Sequence, residues 1–389
     1  MARVLLGWEL GAGTGHAARL RRIAAGLAAD GHAVAAALQR VDLGAAFPPG
    51  SSIWQAPVWP RLLNGVGAPP AAAPATMGDI LFRLGLDDGE RFAALVAGWD
   101  ALLAAVRPDA IVAEFAPALL AAARGRVPTV LVGAGFDVVP AQLERFPSLT
   151  GADPAQDEAA MLAQVQAALA RRGLAAPAHL PALFAADRVL AGCFAELDPY
   201  GSWRRQPLVA PLVAEALGSG GRGEELFLYG SPALLRSRAL IDGLARARIP
   251  VRAYFPDADA AQRRSLEAAG FQVERTPLPF ETIARRSRIV MSHGGIGFVC
   301  SALASGLPQV VVHHDLEKRL TGEAVTRLRL GGHAALDAVD PGAFAVSLRD
   351  FYADESFQRR ARDAAPGYRA RLQPSQPELA VAAVAALAG

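Results

Sequence analysis

The chain has 389 residues, 52% of them hydrophobic, and a formal net charge of only +2. This length suggests two domains of ordinary size, and the small net charge argues against nucleic acid as the main partner. The two cysteines, Cys193 and Cys300, lie far apart in sequence and need not pair, which fits a reducing cytoplasm. No apolar run is long enough to span a bilayer. We therefore expect a cytoplasmic protein without an integral membrane segment.

The first half of the sequence predicts strands that alternate with helices. A strand at 4–7 is followed by the glycine-rich segment ELGAGTGH, a helix at 17–29 and a strand at 34–38. This βαβ unit implies a parallel sheet. Residues 51–76, rich in Pro, Ala and Gly, predict a long surface loop. Further strands are expected to end at Glu114 and Gly133 and to lie near Val189.

A candidate base stands beside the glycine-rich turn. The turn reads G-x-G-x-G-H rather than G-x-G-x-x-G, which disfavours a nicotinamide dinucleotide. At a helix N-terminus the dipole disfavours the imidazolium, so we expect His16 to stay neutral and to accept a proton. Glu114 would end a strand in the same crevice, and its carboxylate would orient the ring. The alternatives are a capping histidine and a solvated carboxylate at a strand end.

The second half predicts another parallel sheet, with strands at 226–229, 251–255, 271–274, 288–291 and 309–312. The segment SHGGIGF lies between one of these strands and a helix expected to begin near Phe298. Gly294, Gly295 and Gly297 would let the backbone approach a ligand closely. The unpaired N–H groups of the helix would then form an anion site, most often for phosphate. His293 could donate a hydrogen bond to the same anion.

A polar pair, Glu317 and Lys318, follows the next strand and is expected in a loop opening into the same crevice. Lys318 is the only lysine in a chain that otherwise uses arginine. Two interpretations remain open: chance survival at a surface position, or a need for a compact ammonium group in the cleft.

The pattern HGGIG…ALASGLPQVVV…LEK resembles the donor-sugar motif of the family 1 glycosyltransferases, which use nucleotide sugars and have the GT-B fold. The usual bacterial pattern of that family is H-G-G-x-G-T, a glutamate three residues on, then G-x-P-Q and D-Q. Here Phe298 replaces the threonine, Ser301 replaces the glutamate, and Glu317–Lys318 replaces D-Q.

The resemblance implies an α/β protein of the GT-B type, with two Rossmann-like domains whose parallel sheets face a central cleft. Residues 1–205 would form the acceptor-binding domain, and residues 206–365 the nucleotide-sugar-binding domain. Residues 366–389 would form a helix that packs back toward the first domain.

The resemblance also implies roles for individual residues. His16 and Glu114 would be catalytic, although the family more often has aspartate at the second position. Arg275 stands where the family has an aromatic residue that stacks on the base. The donor-binding set would be Gly13, Ser231, Thr276, His293, Gly294, Gly295, Gly297, Phe298, Ser301, Glu317 and Lys318.

The implied activity is inverting transfer of a hexose from a nucleotide diphosphate sugar, a UDP-sugar, to a hydroxyl of a small-molecule or lipid-like acceptor. No metal and no cofactor are expected, and the protein would be a monomer or homodimer without a nucleic-acid partner. Asp257-Ala-Asp259 is interpreted as a helix start and His313–Asp315 as an extended segment rather than as metal motifs. The alternatives are a degenerate GT-B protein that binds a nucleotide sugar without transfer, and a sugar-nucleotide epimerase.

Overall fold

The computed structural model describes residues 1–11, 13–59, 61–62 and 73–388, and the chain divides into two compact units. The first comprises Met1–Ala210 with Pro374–Gly389, and the second comprises Pro211–Gln373. The boundary expected after residue 365 falls inside a helix that ends at Arg369. The Nε of Arg369 donates to Ala304 O at 2.7 Å, which ties the last turn of this helix to the second unit.

The first unit is built on a seven-stranded sheet in which all neighbouring strands are parallel, in the order β3-β2-β1-β4-β5-β6-β7. The strands are β1 Arg3–Trp8, β2 Ala33–Leu38, β3 Ser52–Gln55, β4 Ala110–Glu114, β5 Thr129–Ala134, β6 Arg188–Gly192 and β7 Leu208–Val209. The helices between them are α1 Gly15–Ala29, α2 Met77–Leu81, α3 Gly89–Val106, α4 Pro117–Ala123 and α5 Glu158–Ala170, with a π-helical turn at Phe82–Leu86. Short 3₁₀ turns lie at Val41–Ala46, Leu180–Phe184, Ala195–Leu197 and Gly201–Trp203.

The second unit has a six-stranded parallel sheet in the order β10-β9-β8-β11-β12-β13. Its strands are β8 Glu225–Tyr229, β9 Val251–Tyr254, β10 Gln272–Glu274, β11 Ser287–Ser292, β12 Gln309–His313 and β13 Gly331–Ala335. Its helices are α6 Pro232–Arg236, α7 Arg238–Ala247, α8 Ala260–Ala268, α9 Phe280–Arg286, α10 Ile296–Ser305, α11 Leu316–Arg327, α12 Pro341–Ala353 and α13 Glu355–Arg369, with a 3₁₀ turn at Leu336–Ala338. The last helix of the chain, α14 Gln376–Ala388, belongs to the first unit.

Apolar strands covered on both faces explain why the two sheets are parallel. Every residue of β4 and β5 is buried, which is the pattern of a strand with helices on both sides. On one face of the first sheet, α1 and α14 pack together, and a Cβ on Gly26 would lie 2.8 Å from Val381 Cγ2. The predicted α/β architecture is confirmed.

One expectation for the first unit is wrong. Residues 51–76 were expected to form a surface loop, but Ser52–Gln55 is an edge strand that pairs with β2. Trp59 is only 1% exposed, and its indole N–H donates to a buried carboxylate described below. Pro60 and residues 63–72 lie outside the described residues.

The strand order places a topological switch point in each unit. In the first unit the chain reverses direction across the sheet between β1 and β4, and in the second between β8 and β11. Ligands of open α/β sheets bind beyond the carboxyl ends of the strands at such points. Within the described parts of the chain, no helix combines the length and the apolar character that crossing a membrane requires.

Candidate active site

The imidazole of His16 lies between the ring of Trp8 and the glycine turn. The Trp8 and His16 rings stack with centroids 5.3 Å apart and an angle of 17° between their planes. Gly11 has φ +88°, and a Cβ there would lie 2.2 Å from His16 Nε2. Both the backbone conformation and the space for the ring therefore require glycine at position 11.

His16 and Glu114 meet as the sequence predicted. His16 Nδ1 lies 2.6 Å from Glu114 Oε2, and the other carboxylate oxygen accepts from Nη1 of Arg19. Burial alone would raise the pKa of Glu114, but the charges and hydrogen bonds of His16 and Arg19 outweigh it and lower that pKa. An ionised carboxylate only accepts, so Nδ1 carries the proton that it donates, and Nε2 keeps a free lone pair.

The pKa of His16 shifts in the direction opposite to the sequence expectation. Burial disfavours the imidazolium, but the charge and hydrogen bond of Glu114 and the charge of Asp137 outweigh burial and raise the pKa of His16. Arg19 opposes this rise. The rise in pKa is the opposite of what the helix dipole favours, because an ionised carboxylate in direct contact is stronger than the partial charge of a helix end. His16 is thus a stronger base than an isolated histidine.

Asp137 completes an acidic cluster that sequence reasoning missed. His16, Glu114 and Asp137 each offer an atom within 4.8 Å of the others, and no other such group occurs among residues 1–11, 13–59, 61–62 and 73–388. The Arg19 guanidinium already neutralises Glu114, which disfavours a cation there. Metal-independent chemistry stays a prediction. No sequence motif marks Asp137, which follows β5 and reaches the site through the fold alone.

Glu9 is a second residue that sequence reasoning missed. It is fully buried at the end of β1, and its oxygens accept from Leu119 N at 2.6 Å, Ala118 N at 3.2 Å and Trp59 Nε1 at 2.9 Å. Burial raises the pKa of Glu9 to about 7, although these bonds oppose the rise. Glu9 therefore joins the strand that leads to His16 to the helix that follows Glu114. The signal for Glu9 in the sequence was a carboxylate directly after an apolar strand.

The glycine turn of the second unit has the expected form. Gly294 has φ +92°, its N–H donates to Ser292 Oγ at 3.1 Å, and a Cβ there would lie 2.8 Å from Val311 Cγ1. Helix α10 begins at Ile296, two residues before the expected start, and Gly295 is its N-cap. No side chain caps this helix, so its first N–H groups face the turn without a side-chain acceptor.

His293 is neutral beside this turn. Burial, together with the charge of Lys318, lowers the pKa of His293 to about 4, so at neutral pH the ring has one N–H to donate. Within the described part of the chain, its buried Nδ1 has no hydrogen-bond partner. Its Nε2 lies 3.1 Å from the position that a Cβ on Gly295 would take. This nitrogen is therefore next to the N-cap of α10.

The two positions that depart from the family motif serve packing and internal bonding. The half-buried Phe298 ring lies 5.2 Å from the Tyr229 ring and 5.4 Å from the Phe280 ring. Ser301 is 1% exposed; its hydroxyl donates to Gly297 O at 2.6 Å and accepts from Ala214 N at 3.0 Å. Neither residue presents a free hydroxyl or carboxylate in the way the motif positions would.

Glu317 and Lys318 lie in the first turn of α11 rather than in a loop. Asp315 is the N-cap, and its Oδ1 accepts from Lys318 N at 2.9 Å, so the helix begins before the pair. Lys318 Nζ donates to Glu317. A Cβ on Gly294 would lie 3.3 Å from Lys318 Cβ, which places the pair against the glycine turn.

The remaining predicted positions are spread around these elements. Ser231 caps α6, its Oγ accepting from Leu234 N at 3.5 Å. A Cβ on Gly297 would lie 3.2 Å from Leu212 O, and Thr276 is exposed. Gly13 has φ +90° with open space around it.

The two metal-like motifs have other uses. Asp259 caps α8 in a capping box with Gln262, as interpreted from the sequence. His313 and His333 form a pair, with Nε2 of the first 3.1 Å from Nδ1 of the second.

Comparisons with known proteins bear on the fold. No family model matches the chain. A PGL/p-HBAD biosynthesis glycosyltransferase of Mycobacterium tuberculosis is 24% identical over 173 residues, which are 44% of this chain. That match spans only 37% of the relative's length.

Solved structures match the whole chain. The calicheamicin glycosyltransferase CalG4 has a TM-score of 0.70 at 20% identity and covers 99% of this chain and 98% of its own. The glycosyltransferase VinC in complex with dTDP has a TM-score of 0.65 at 18% identity and covers 99% of both chains. The spinosyn rhamnosyltransferase SpnG complexed with spinosyn aglycone has a TM-score of 0.61 at 17% identity, with 97% and 98% covered. The chain therefore has the GT-B fold of these glycosyltransferases, and the resemblance predicted from its sequence is confirmed at the level of the fold.

Proposed function

We propose that this protein is an inverting glycosyltransferase that moves a hexose from a nucleotide diphosphate sugar to a hydroxyl of a small-molecule or lipid-like acceptor. The observation that carries the proposal is the bonded pair of His16 and Glu114 at the switch point of the first sheet. A buried carboxylate that orients an imidazole and leaves Nε2 free is the arrangement of a general base. The matching GT-B fold supports the reaction class.

The second unit supplies the donor site in this proposal. The N-terminus of α10, without a side-chain cap, and the neutral ring of His293 favour a diphosphate at the glycine turn. VinC, which shares the fold, was solved with dTDP. The sequence resemblance implies a UDP-sugar. Both nucleotides carry a pyrimidine and a diphosphate, and a binding test separates them.

Lys318 bears on the choice of sugar. Its ammonium donates to the adjacent Glu317, so the pair is close to neutral and offers both donors and acceptors. We therefore propose a neutral hexose rather than a uronic acid, because Glu317 already balances the ammonium charge that would otherwise attract a second carboxylate. On this proposal Lys318→Gln keeps the donor preference, and a switch from a uronic acid toward glucose would contradict it.

The proposed chemistry needs one proton transfer and one displacement. Nε2 of His16 takes the proton of the acceptor hydroxyl, and the oxygen attacks the anomeric carbon. The bond from that carbon to the diphosphate oxygen breaks, its electron pair leaves with the diphosphate, and the anomeric configuration inverts. The N–H groups of α10 and His293 stabilise the charge that develops on the diphosphate. SpnG was solved with an aglycone, which agrees with an acceptor of that chemical kind.

A protein that binds a nucleotide sugar without transferring it is the second candidate. Phe298 and Ser301 favour it, because neither offers the polar contact of the motif position. The assembled pair of His16 and Glu114 favours transfer, because a binding protein has no need of an oriented base.

Calorimetry on wild type and His293→Ala with UDP, dTDP and the glucose conjugate of each tests the donor site. A lost hydrogen bond to a charged group costs about 1.5–3 kcal/mol, so we expect the variant to bind the diphosphates about 10- to 100-fold more weakly. His314→Ala, which removes an exposed neighbouring histidine, is the matched control. Equal affinity in wild type and His293→Ala would contradict the assigned site, and no binding of any of the four ligands would contradict the proposed donor class.

A further inference from the structure

Arg19 is a buried cation with two partners that lie far apart in sequence. It is 4% exposed and follows His16 by three residues on α1. Its Nη1 donates to Glu114 Oε1, and its Nε donates to Gln376 Oε1 at 2.8 Å. A guanidinium buried among apolar residues requires such partners. This fork joins the carboxylate next to the proposed base to the first residue of the C-terminal helix α14.

The amide of Gln376 has one possible orientation. It is fully buried, and its Nε2 donates to Gly133 O at 2.9 Å and to Leu190 O at 2.7 Å. Carbonyl oxygens only accept, so the NH₂ group must face these two strand carbonyls and Oε1 must face Arg19. A Cβ on Gly192 would lie 2.8 Å from Nε2, so glycine at that position leaves room for the amide.

We infer that Arg19 and Gln376 are positioning residues for His16. Gln376, fixed by two strand carbonyls, holds the guanidinium, and the guanidinium holds Glu114 with its second oxygen facing His16 Nδ1. The inference rests on the proposed function only in naming His16 as the base. It gives α14 a part in catalysis besides covering α1, since the first residue of α14 aligns the base through two intervening side chains.

The charges that face His16 give the inference a distinctive readout. Glu114 from β4 and Asp137 from the segment after β5 favour the imidazolium, whereas Arg19 on the same helix opposes it. Arg19→Met removes both that opposing charge and the bond that holds Glu114, and these two losses shift the pKa of His16 in opposite directions. Arg19→Lys keeps the charge but replaces the planar fork by a point donor, which cannot bond Gln376 and Glu114 in the same way.

The test measures His16 directly by NMR titration of the full chain labelled at its histidines, with His16→Ala to assign the signal. We expect a downward shift of the His16 titration in Arg19→Lys, because the opposing charge stays while Glu114, which raises the pKa of His16, loses its fixed position against Nδ1. Arg21→Met, an exposed position on the same helix, is the control and should change nothing. For Gln376→Met we expect the turnover number to fall about tenfold or more, with the donor KM unchanged, because a base misplaced by about 1 Å can cost about 100-fold.

The outcomes separate this inference from the proposed function. If the His16 titration in Arg19→Lys matches wild type, or if Gln376→Met transfers at the wild-type rate, the positioning role is wrong. If His16→Ala keeps its activity, the proposed base is wrong, whatever the titrations show. Should Arg19→Met fail to fold, Arg19→Lys and Gln376→Met still decide the case, because a purely structural role predicts unchanged turnover per folded molecule in both.

Discussion

At the scale of single residues, His16 is positioned by groups that lie both near it and far from it in the sequence. Trp8 and Gly11 are close to it in the chain and set the plane of the ring. Glu114 ends β4 and Asp137 lies in the turn after β5, and the charges of both raise its pKa. The pairing of His16 with Glu114 was predictable from the sequence, since both follow parallel strands. The raised pKa was not, because it depends on the direct contact with Glu114 outweighing burial and on the charge of Asp137, which only the fold brings near.

The first prediction concerns the pH dependence of transfer. Because the neutral imidazole is the base, kcat/KM should rise as pH increases through the pKa of His16, which Glu114 raises. Glu114→Gln removes the charge that stabilises the imidazolium, so that pKa falls and the acid limb of the profile moves to lower pH. The plateau should also fall, because the amide orients the ring less strongly. A limb that stays in place or moves to higher pH would contradict the assignment.

The second prediction concerns Phe298. Its half-buried ring packs against Tyr229 and Phe280, so Phe298→Thr should lower the free energy of unfolding by about 1–3 kcal/mol. Denaturant unfolding measures the loss. Phe351→Thr is the control, because Phe351 also packs against another ring of the second unit, that of Phe357. If Phe298→Thr leaves stability unchanged and tightens diphosphate binding, the ring has no packing role and the position faces the phosphate.

At the scale of elements, glycine turns and helix caps decide where the functional side chains lie. The turn before α10 was predictable, because glycines between a strand and a helix have few other uses. The helical position of Glu317 and Lys318 was not predictable. The sequence predicts a loop there, but Asp315 caps α11 and the helix begins before the pair. Strand β3 was missed because a short edge strand in a Pro- and Gly-rich segment has too few residues for a periodic pattern.

The third prediction concerns the turn that carries His16. Gly11→Ala should destabilise the protein by about 1–2 kcal/mol through its positive φ, and should also displace the His16 ring, because the new methyl group would overlap it. Gly31→Ala is the matched control, with φ +80° and open space. Both variants should lose similar stability in thermal unfolding, but only Gly11→Ala should lose transfer activity. Equal activity in the two variants would show that the glycine serves the backbone alone.

At the scale of the whole molecule, the two parallel sheets followed from the order of strands and helices in the sequence, and the GT-B fold was implied by the resemblance of the donor motif. The packing of the last helix on the first domain was implied by the resemblance alone, because its apolar pattern shows that it packs but not on which partner. The buried amide of Gln376 shows the partner, because it donates to carbonyl groups of two strands of the first unit, β5 and β6. The departures at Phe298 and Ser301 are explained by packing and internal hydrogen bonds that no motif comparison contains.

The most direct test of the central claim compares wild type with His16→Ala, using UDP-glucose and dTDP-glucose and a panel of hydroxylated aglycones. We predict that wild type releases nucleotide diphosphate in an acceptor-dependent way and forms a product of inverted anomeric configuration. His16→Ala should bind the donor with unchanged affinity and transfer about 100- to 10,000-fold more slowly, the usual contribution of a general base. Near wild-type turnover in His16→Ala, or a product of retained configuration, would contradict the account.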